Sequence, residues 1–249
     1  MRYFLELSYN GKNYHGWQVQ PNVISVQEKI NEGLTKLLRT SINVMGAGRT
    51  DAGVHASQMY AHFDIESAID TILILDRLNS FLPEDIVIKN LFEVDEKSHT
   101  RFHAISRSYE YRIFIGRNPF LFDTTWQIYR NKLDVVKMNE AAKLLLIHSD
   151  FKCFSKTADV NTYICDVTFA AWKQNNNLLT FHISANRFLR NMVRAIVGTL
   201  IDVGMSKISI EDFKKIMDSR SRSEAGFSVP ARGLFLTHVE YPKSILKNE

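Results

Sequence analysis

A loop rich in glycine and charge, Gly46 to Ala56, carries the residues of this chain best suited to chemistry. It lies between two short runs that are predicted as strands. Asp51 is a carboxylate, and Arg49 is a cation two residues away that can bind a phosphate or pair with that carboxylate. Glycines permit positive φ and let another molecule approach the backbone closely; this loop has Gly46, Gly48 and Gly53. The loop is therefore predicted to present Asp51 at an accessible surface.

Residue types alone leave a structural role open for this loop. An Asp among glycines commonly bonds its own backbone in a turn, and a neighbouring Arg commonly forms a solvated ion pair. Two nucleotide-binding motifs are excluded. No Gly-Lys-Ser/Thr follows, as a phosphate-binding P-loop requires, and a strand rather than a helix comes next, unlike a dinucleotide fingerprint.

Composition indicates a soluble globular protein with a basic balance. The chain has 249 residues, 45% hydrophobic and 23% charged, with a net charge of +4. It has no apolar run of about 18 residues that would predict a membrane helix, and it begins without a signal-peptide pattern. Two cysteines give neither a disulfide framework nor a metal quartet, so a cytoplasmic protein without a metal is predicted.

Arginines and aromatic residues are interleaved in two stretches, residues 101–117 and 187–194. Guanidinium groups hold phosphates and rings stack on exposed bases, so this mixture favours an RNA partner. Composition leaves one alternative open: the arginines only keep an exposed strand face soluble and bind no RNA.

The order of predicted elements indicates an α+β fold. Residues 1–100 follow the order β-α-β-β-α-β, which is ferredoxin-like. Residues 101–249 repeat that order, with insertions near 120–129 and 151–163. We expect two domains, 1–100 and 101–249, with antiparallel sheets side by side, helices on one face and a central basic cleft. The predicted strands are 2–9, 42–45, 58–65, 86–94, 106–115, 165–172, 178–184 and 233–241, and the predicted helices are 25–39, 70–81, 134–147, 187–203 and 210–218.

The predicted helix from Arg187 to Val203 places three arginines on one narrow stripe. Arg187, Arg190 and Arg194 are spaced i, i+3, i+7. Arg194 would lie among apolar residues, where a cation needs a carboxylate partner. Asp51 is the predicted partner.

Three segments resemble motifs of the TruA family of tRNA pseudouridine synthases. Nine consecutive residues, Gly48 to Ala56, resemble its signature. Ser108-Tyr109-Glu110-Tyr111 resembles its second motif, and Phe188 to Arg194 its third. Family members often carry basic residues where Ser108 and Glu110 stand, which weakens the case for phosphate contacts from this strand.

The resemblance implies the function and the site. The catalytic Asp is Asp51, the final Arg of the third motif, Arg194, pairs with it, and Tyr109 packs on the target base. The reaction isomerises uridine to pseudouridine at positions 38, 39 and 40 in the anticodon stem-loop of tRNA, without a cofactor. A homodimer is expected. The predicted substrate-binding residues are Tyr109, Arg49, Thr50, His55, Arg187, Arg190 and Phe188.

Two other functions and a metal site are alternatives to this assignment. A retaining glycosidase needs a second carboxylate in a comparable motif, and none is present. His15, His55 and His62 lack the accompanying motif of a metal site. A non-catalytic RNA-binding protein on the same fold would keep Arg187, Arg190 and Tyr111 but would have no need of a paired Asp51.

Overall fold

The computed structural model describes residues 1–129, 132–156 and 160–246, and it has the α+β composition predicted from the sequence. Part of the predicted 151–163 insertion, residues 157–159, lies outside the described residues. The chain divides into two compact units: residues 1–106 with the chain from Phe235 onward, and residues 107–234. In the described ranges, no helix has the length and apolar character needed to cross a membrane.

The strands and helices are numbered in chain order. The strands are β1 (Arg2–Tyr9), β2 (Met45–Gly46), β3 (His55–Asp64), β4 (Ile86–Val94), β5 (Ser106–Ile115), β6 (Trp126–Ile128), β7 (Val167–Asn175), β8 (Leu178–Ala185) and β9 (Leu234–Glu240). The helices are α1 (Val26–Leu38), α2 (Thr71–Phe81), α3 (Val135–Leu144), α4 (Met192–Gly204) and α5 (Ile210–Ser219).

In the first unit the sheet is built around β1, which pairs antiparallel with both β3 and β4. The short β2 pairs antiparallel with β3, and β9 pairs parallel with β3 through His55 and Ala56. The apolar alternation of β1 places Leu5 and Leu7 in the core, where both are fully buried. Helix α1 begins with the predicted capping box between Ser25 and Glu28, which stabilises a helix start by about 1 kcal/mol.

In the second unit β8 lies between β5 and β7 and is antiparallel to both, while β6 pairs parallel with β5. The β7–β8 hairpin turns at Asn176, whose φ is 52°, a conformation that Asn tolerates better than most residues. Helix α3 packs on β7 and α4. Its buried face was predicted from helical periodicity and is fully buried in the structure: Met138, Ala141, Ala142 and Leu145.

The predicted start of helix α4 at Arg187 is wrong, because the helix begins at Met192. Asn191 has a left-handed φ of 68° and therefore cannot continue a helix toward the N-terminus. The segment from Arg187 to Arg190 is an irregular approach to the helix. Arg187, Arg190 and Arg194 thus do not form a helical stripe, and only Arg194 lies in the helix.

A buried histidine makes the first unit sensitive to acid. His62 of β3 is 5% exposed, and its Nδ1 lies 2.7 Å from the hydroxyl of Thr100. Burial, together with the charges of Arg2 and His99, lowers the pKa of His62 to about 4 against the opposing effect of Asp64. The folded protein therefore keeps this ring neutral at pH values where a solvated histidine takes up a proton.

We expect the free energy of unfolding to fall as the pH drops from about 6.5, the ordinary pKa of His, toward 4. In that window the unfolded chain binds a proton that folded His62 does not, so acid favours the unfolded state. Denaturant unfolding of His62→Asn across this range should show a shallower fall than the wild-type protein. His238→Asn, at an exposed position of β9, is the control. An identical pH slope for the wild-type and His62→Asn proteins would contradict the assignment.

Candidate active site

Asp51 lies in the loop between β2 and β3, on the first unit. Its side chain is half-buried, whereas Arg49 and Ala52 on either side are exposed. The loop turns back toward β3 through a hydrogen bond from the Val54 amide to the Asp51 carbonyl, 3.1 Å long. Gly53 has a φ of 76°, which only glycine adopts without strain. The loop therefore leaves Asp51 partly exposed to solvent, and its accessibility to a large substrate stays a prediction.

A second loop, Gly11 to Trp17, holds the Asp51 loop by main-chain hydrogen bonds. The Gly53 amide donates to the Tyr14 carbonyl at 3.2 Å, and the Trp17 amide donates to the Thr50 carbonyl at 3.3 Å. The Thr50 hydroxyl also lies 2.9 Å from the Tyr9 hydroxyl. We call residues 11–17 the supporting loop. These bonds fix the backbone on both sides of Asp51.

Two glycines of the supporting loop make this close approach sterically feasible. A Cβ added to Gly16 would lie 2.3 Å from the Thr50 carbonyl oxygen, and one added to Gly11 would lie 1.9 Å from the Val54 carbonyl oxygen. Gly16 also has a φ of 90°, which strains any other residue. The supporting loop can therefore contact the Asp51 loop backbone to backbone only with glycine at these positions.

Asp85 anchors the supporting loop at its other side. Its carboxylate accepts a short hydrogen bond from the Tyr14 hydroxyl and a 3.0 Å bond from the Asn13 amide nitrogen Nδ2. Its carbonyl accepts from the Asn10 amide at 2.9 Å. Burial and the Asp85 charge raise the pKa of Tyr14, so its phenol stays protonated and remains a donor. The sequence predicted a turn-rich loop here but not its role as a support for Asp51.

His55 is buried at the start of β3, 1% exposed. Its Nδ1 accepts a hydrogen bond from the Gly11 amide at 3.1 Å, so the neutral ring carries its proton on Nε2. Its ring stacks on Phe235 with centroids 4.5 Å apart. These contacts tie His55 to the supporting loop, and its predicted part in substrate binding stays a prediction.

On the second unit, Tyr109 and Phe188 lie against each other. Tyr109 is on β5, opposite Ile183 of β8, and Phe188 follows the end of β8. Their ring centroids are 5.0 Å apart with the planes at 82°, an edge-to-face contact. Both side chains are half-buried. The structure thus brings together two residues that came from separate sequence motifs.

The charged residues beside Tyr109 on β5 are paired with each other. Arg112 donates to the Glu110 carboxylate at 2.9 Å, and the hydroxyls of Ser108 and Ser184 lie 2.7 Å apart. Glu110 thus offsets part of the charge of Arg112, while Arg107, also on β5, donates to the Asn186 carbonyl at 2.9 Å.

Arg194 lies in the first turn of α4 and is held by a segment distant in sequence. Its Nε donates to the Val229 carbonyl at 2.7 Å, and the Val229 amide donates to the Arg194 carbonyl at 3.2 Å. Sequence analysis missed this role of Val229. The predicted pairing of Arg194 with Asp51 stays a prediction. Of the other predicted cations, Arg190 is exposed and Arg187 is half-buried, both ahead of the helix.

Metal ligation has no candidate in the part of the chain that the structure describes: no three His, Cys, Asp or Glu side chains there are grouped to hold a metal ion.

Comparison with known proteins finds similarity along the whole chain. A family model described as tRNA pseudouridine synthase matches residues 141–242. The chain is 47% identical to tRNA pseudouridine synthase A of Bacteroides thetaiotaomicron, over 100% of this chain and 93% of that protein. It is 49% identical to the protein of that name from Azobacteroides pseudotrichonymphae, over 99% of each chain. It is 37% identical to that of Clostridium kluyveri, over 95% of this chain and 98% of that protein.

We expect Gly16→Ala to lower the free energy of unfolding by about 2 kcal/mol, because it adds a Cβ at a positive φ against the Thr50 carbonyl. Gly48→Ala is the matched control, since a Cβ there meets nothing within 4 Å. Chemical denaturation of both variants measures the difference. Equal stability of the two variants would show that the supporting loop can move away from Thr50 at no cost.

Proposed function

The chain belongs to the family of tRNA pseudouridine synthases, and we propose that it isomerises uridine to pseudouridine at positions 38, 39 and 40 of the tRNA anticodon stem-loop, with Asp51 as nucleophile. The observation that carries this proposal is the Asp51 loop. Its nine-residue motif stands on an accessible turn whose backbone is held on both sides by the supporting loop. A turn that only reversed the direction of the chain would not need hydrogen bonds from a second loop.

The reaction rearranges one bond and requires no oxidant. The N1–C1′ glycosidic bond of uridine breaks, the uracil turns, and C5 forms a bond to C1′. A proton leaves C5 and N1 gains one, so atoms and electrons balance within the substrate and water. No cofactor is expected for this isomerisation.

Asp51 is proposed to start the reaction as an ionised carboxylate. It attacks C1′ or C6, or assists a route through a glycal, and these alternatives stay open. Arg194 is proposed to pair with Asp51, because a guanidinium beside the carboxylate keeps it ionised and fixes its orientation. The bond from Arg194 Nε to the Val229 carbonyl supports this, since it restricts the orientation of the side chain.

Tyr109 is proposed to pack on the target uracil and to place its phenol near C5, where the proton departs. Its edge-to-face contact with Phe188 holds the ring in one orientation and so supports this role. Phe188 is proposed to contact the substrate through the same cluster.

The target uridine must leave a stacked stem before Asp51 can reach it. The exposed Arg49 is proposed to hold the phosphate of the flipped nucleotide, with Thr50 and His55 completing the loop's contacts. Arg187 and Arg190 are proposed to bind phosphates further along the stem. We further propose two ferredoxin-like halves, with a basic cleft for the RNA, and a homodimer that acts in the cytoplasm.

We expect Asp51→Ala to abolish pseudouridine formation, because the nucleophile is removed, while tRNA affinity changes by less than about tenfold, roughly 1.4 kcal/mol. The measurement is tritium release from tRNA labelled with 5-³H-uridine, which reports loss of the C5 proton, followed by mapping of the modified position. Asp76→Ala, at an exposed position of α2, is the control. Activity retained in Asp51→Ala would refute the catalytic assignment and leave an RNA-binding protein as the better description.

We expect Arg190→Ala to weaken tRNA binding and to flatten its dependence on salt, because one phosphate contact fewer releases about one counterion fewer. Arg77→Ala removes the same charge from an exposed position of α2 and is the matched control. Binding titrations at several salt concentrations measure the slope. A slope equal to that of the wild-type protein would remove Arg190 from the RNA-binding surface.

A further inference from the structure

We propose that Arg222 is a positioning residue that sets the orientation of Arg194 through the loop between α5 and β9. This inference rests on the role of Arg194 in the proposed function. We call residues 220–233 the α5–β9 loop. Arg222 belongs to none of the three sequence motifs, and its part in the site follows only from contacts within the second unit.

The guanidinium of Arg222 gathers the α5–β9 loop around itself. Its Nη1 donates to the carbonyls of Ala225 and Gly226, at 3.2 and 3.1 Å. Its Nη2 donates to the Ser228 hydroxyl at 2.9 Å. All three acceptors lie within six residues of Arg222, so the side chain folds this segment into one conformation.

The folded segment lies directly on helix α4. The Gly226 amide donates to the Thr199 hydroxyl at 2.9 Å. A Cβ added to Gly198 would lie 1.9 Å from the Phe227 carbonyl oxygen, so the loop and the helix meet backbone to backbone. Glycine at position 198 permits this contact, and Arg222 fixes the loop conformation that makes it.

The same segment then holds the start of α4 and the side chain of Arg194. The Ser228 hydroxyl that Arg222 contacts also accepts from Nδ2 of Asn191, at 2.7 Å, and Asn191 is the residue before the helix. One residue further, Val229 exchanges two hydrogen bonds with Arg194, one to its Nε and one to its carbonyl. Contacts therefore run from Arg222 through Ser228 and Val229 to the Arg194 guanidinium.

Ordering a loop with a charged arginine costs more free energy than ordering it with an uncharged side chain. The use of arginine here therefore indicates that the α5–β9 loop must keep one defined conformation. Its acceptors here are two carbonyls and a hydroxyl, and its Nε is buried without a hydrogen-bond partner among the described residues. Arg222 as a whole is half-buried, so its charge is only partly removed from water, and that partial removal costs free energy. The planar fork of donors, however, holds several acceptors in fixed relative positions, which a single ammonium group does less well.

The expected consequence is a loss of rate rather than of binding. If Arg194 orients Asp51, a shift of its guanidinium by about 1 Å can cost on the order of a hundredfold in the chemical step. Affinity for tRNA is spread over many contacts and should change little. The test therefore compares the single-turnover rate of tritium release with the dissociation constant for tRNA.

We expect Arg222→Gln to lower the single-turnover rate by about ten- to a hundredfold with tRNA affinity within about threefold. Arg220→Gln is the matched control: Arg220 is two residues away and pairs with Asp150 at 2.8 Å, at a 58% exposed position. Its removal should leave the rate within twofold. Ser228→Ala, a smaller change that removes the Arg222 and Asn191 contacts together, should lower the rate in the same direction and serves if Arg222→Gln does not fold.

A double-mutant cycle distinguishes positioning from general destabilisation. In an Arg194→Lys background, Arg222→Gln should reduce the remaining rate by less than twofold, because the group it positions is already altered. An equal loss in both backgrounds would overturn the proposal, as would a wild-type rate for Arg222→Gln, or for Ser228→Ala where Arg222→Gln does not fold. Inactive Asp51→Ala alongside a fully active Arg222→Gln would overturn this inference alone, whereas active Asp51→Ala would overturn the proposed function.

Discussion

The position of Asp51 depends on two loops that touch backbone to backbone. The supporting loop accepts a hydrogen bond from the amide of Gly53 and donates one to the carbonyl of Thr50, on either side of the carboxylate. Main-chain contacts at this distance leave no space for a Cβ at Gly11 or Gly16. A loop tied at both ends in this way loses the conformational freedom that would otherwise have to be removed when the substrate binds.

In the second unit, close backbone contact and main-chain hydrogen bonds likewise hold the proposed catalytic group Arg194. Glycine at position 198 lets the α5–β9 loop lie on the backbone of α4, and Val229 of that loop then bonds both the main chain and the side chain of Arg194. Tyr109 is restrained differently, by the edge of the Phe188 ring. In each case the side chain proposed to act is oriented by a residue from another part of the chain, and none is oriented by its own element alone.

The structure separates exposed arginines from arginines that are engaged within the protein. Arg112 is paired with Glu110 on β5, and Arg222 donates to acceptors of its own loop, so neither contributes a simple cationic surface. Arg49 and Arg190 are exposed and stand in the segments that carry the first and third motifs. A net charge of +4 is modest for a protein that acts on tRNA, so the placement of a few arginines matters more than their number.

The sequence by itself determined most of the elements and singled out one candidate for the reactive acid. Apolar periodicity predicted β1, β4 and α1 closely, because a strand or helix repeats at intervals that depend only on local geometry. A continuous nine-residue motif was enough to single out Asp51. Only the tertiary structure decided where α4 begins, because the apolar pattern continues through Arg187 to Asn191 while Asn191 takes a left-handed conformation bonded to Ser228. The tertiary structure also gave Gly16 and Arg222 their contacts. The partners of these residues lie on another loop or within a folded turn, and contacts of that kind produce no periodic pattern in the sequence.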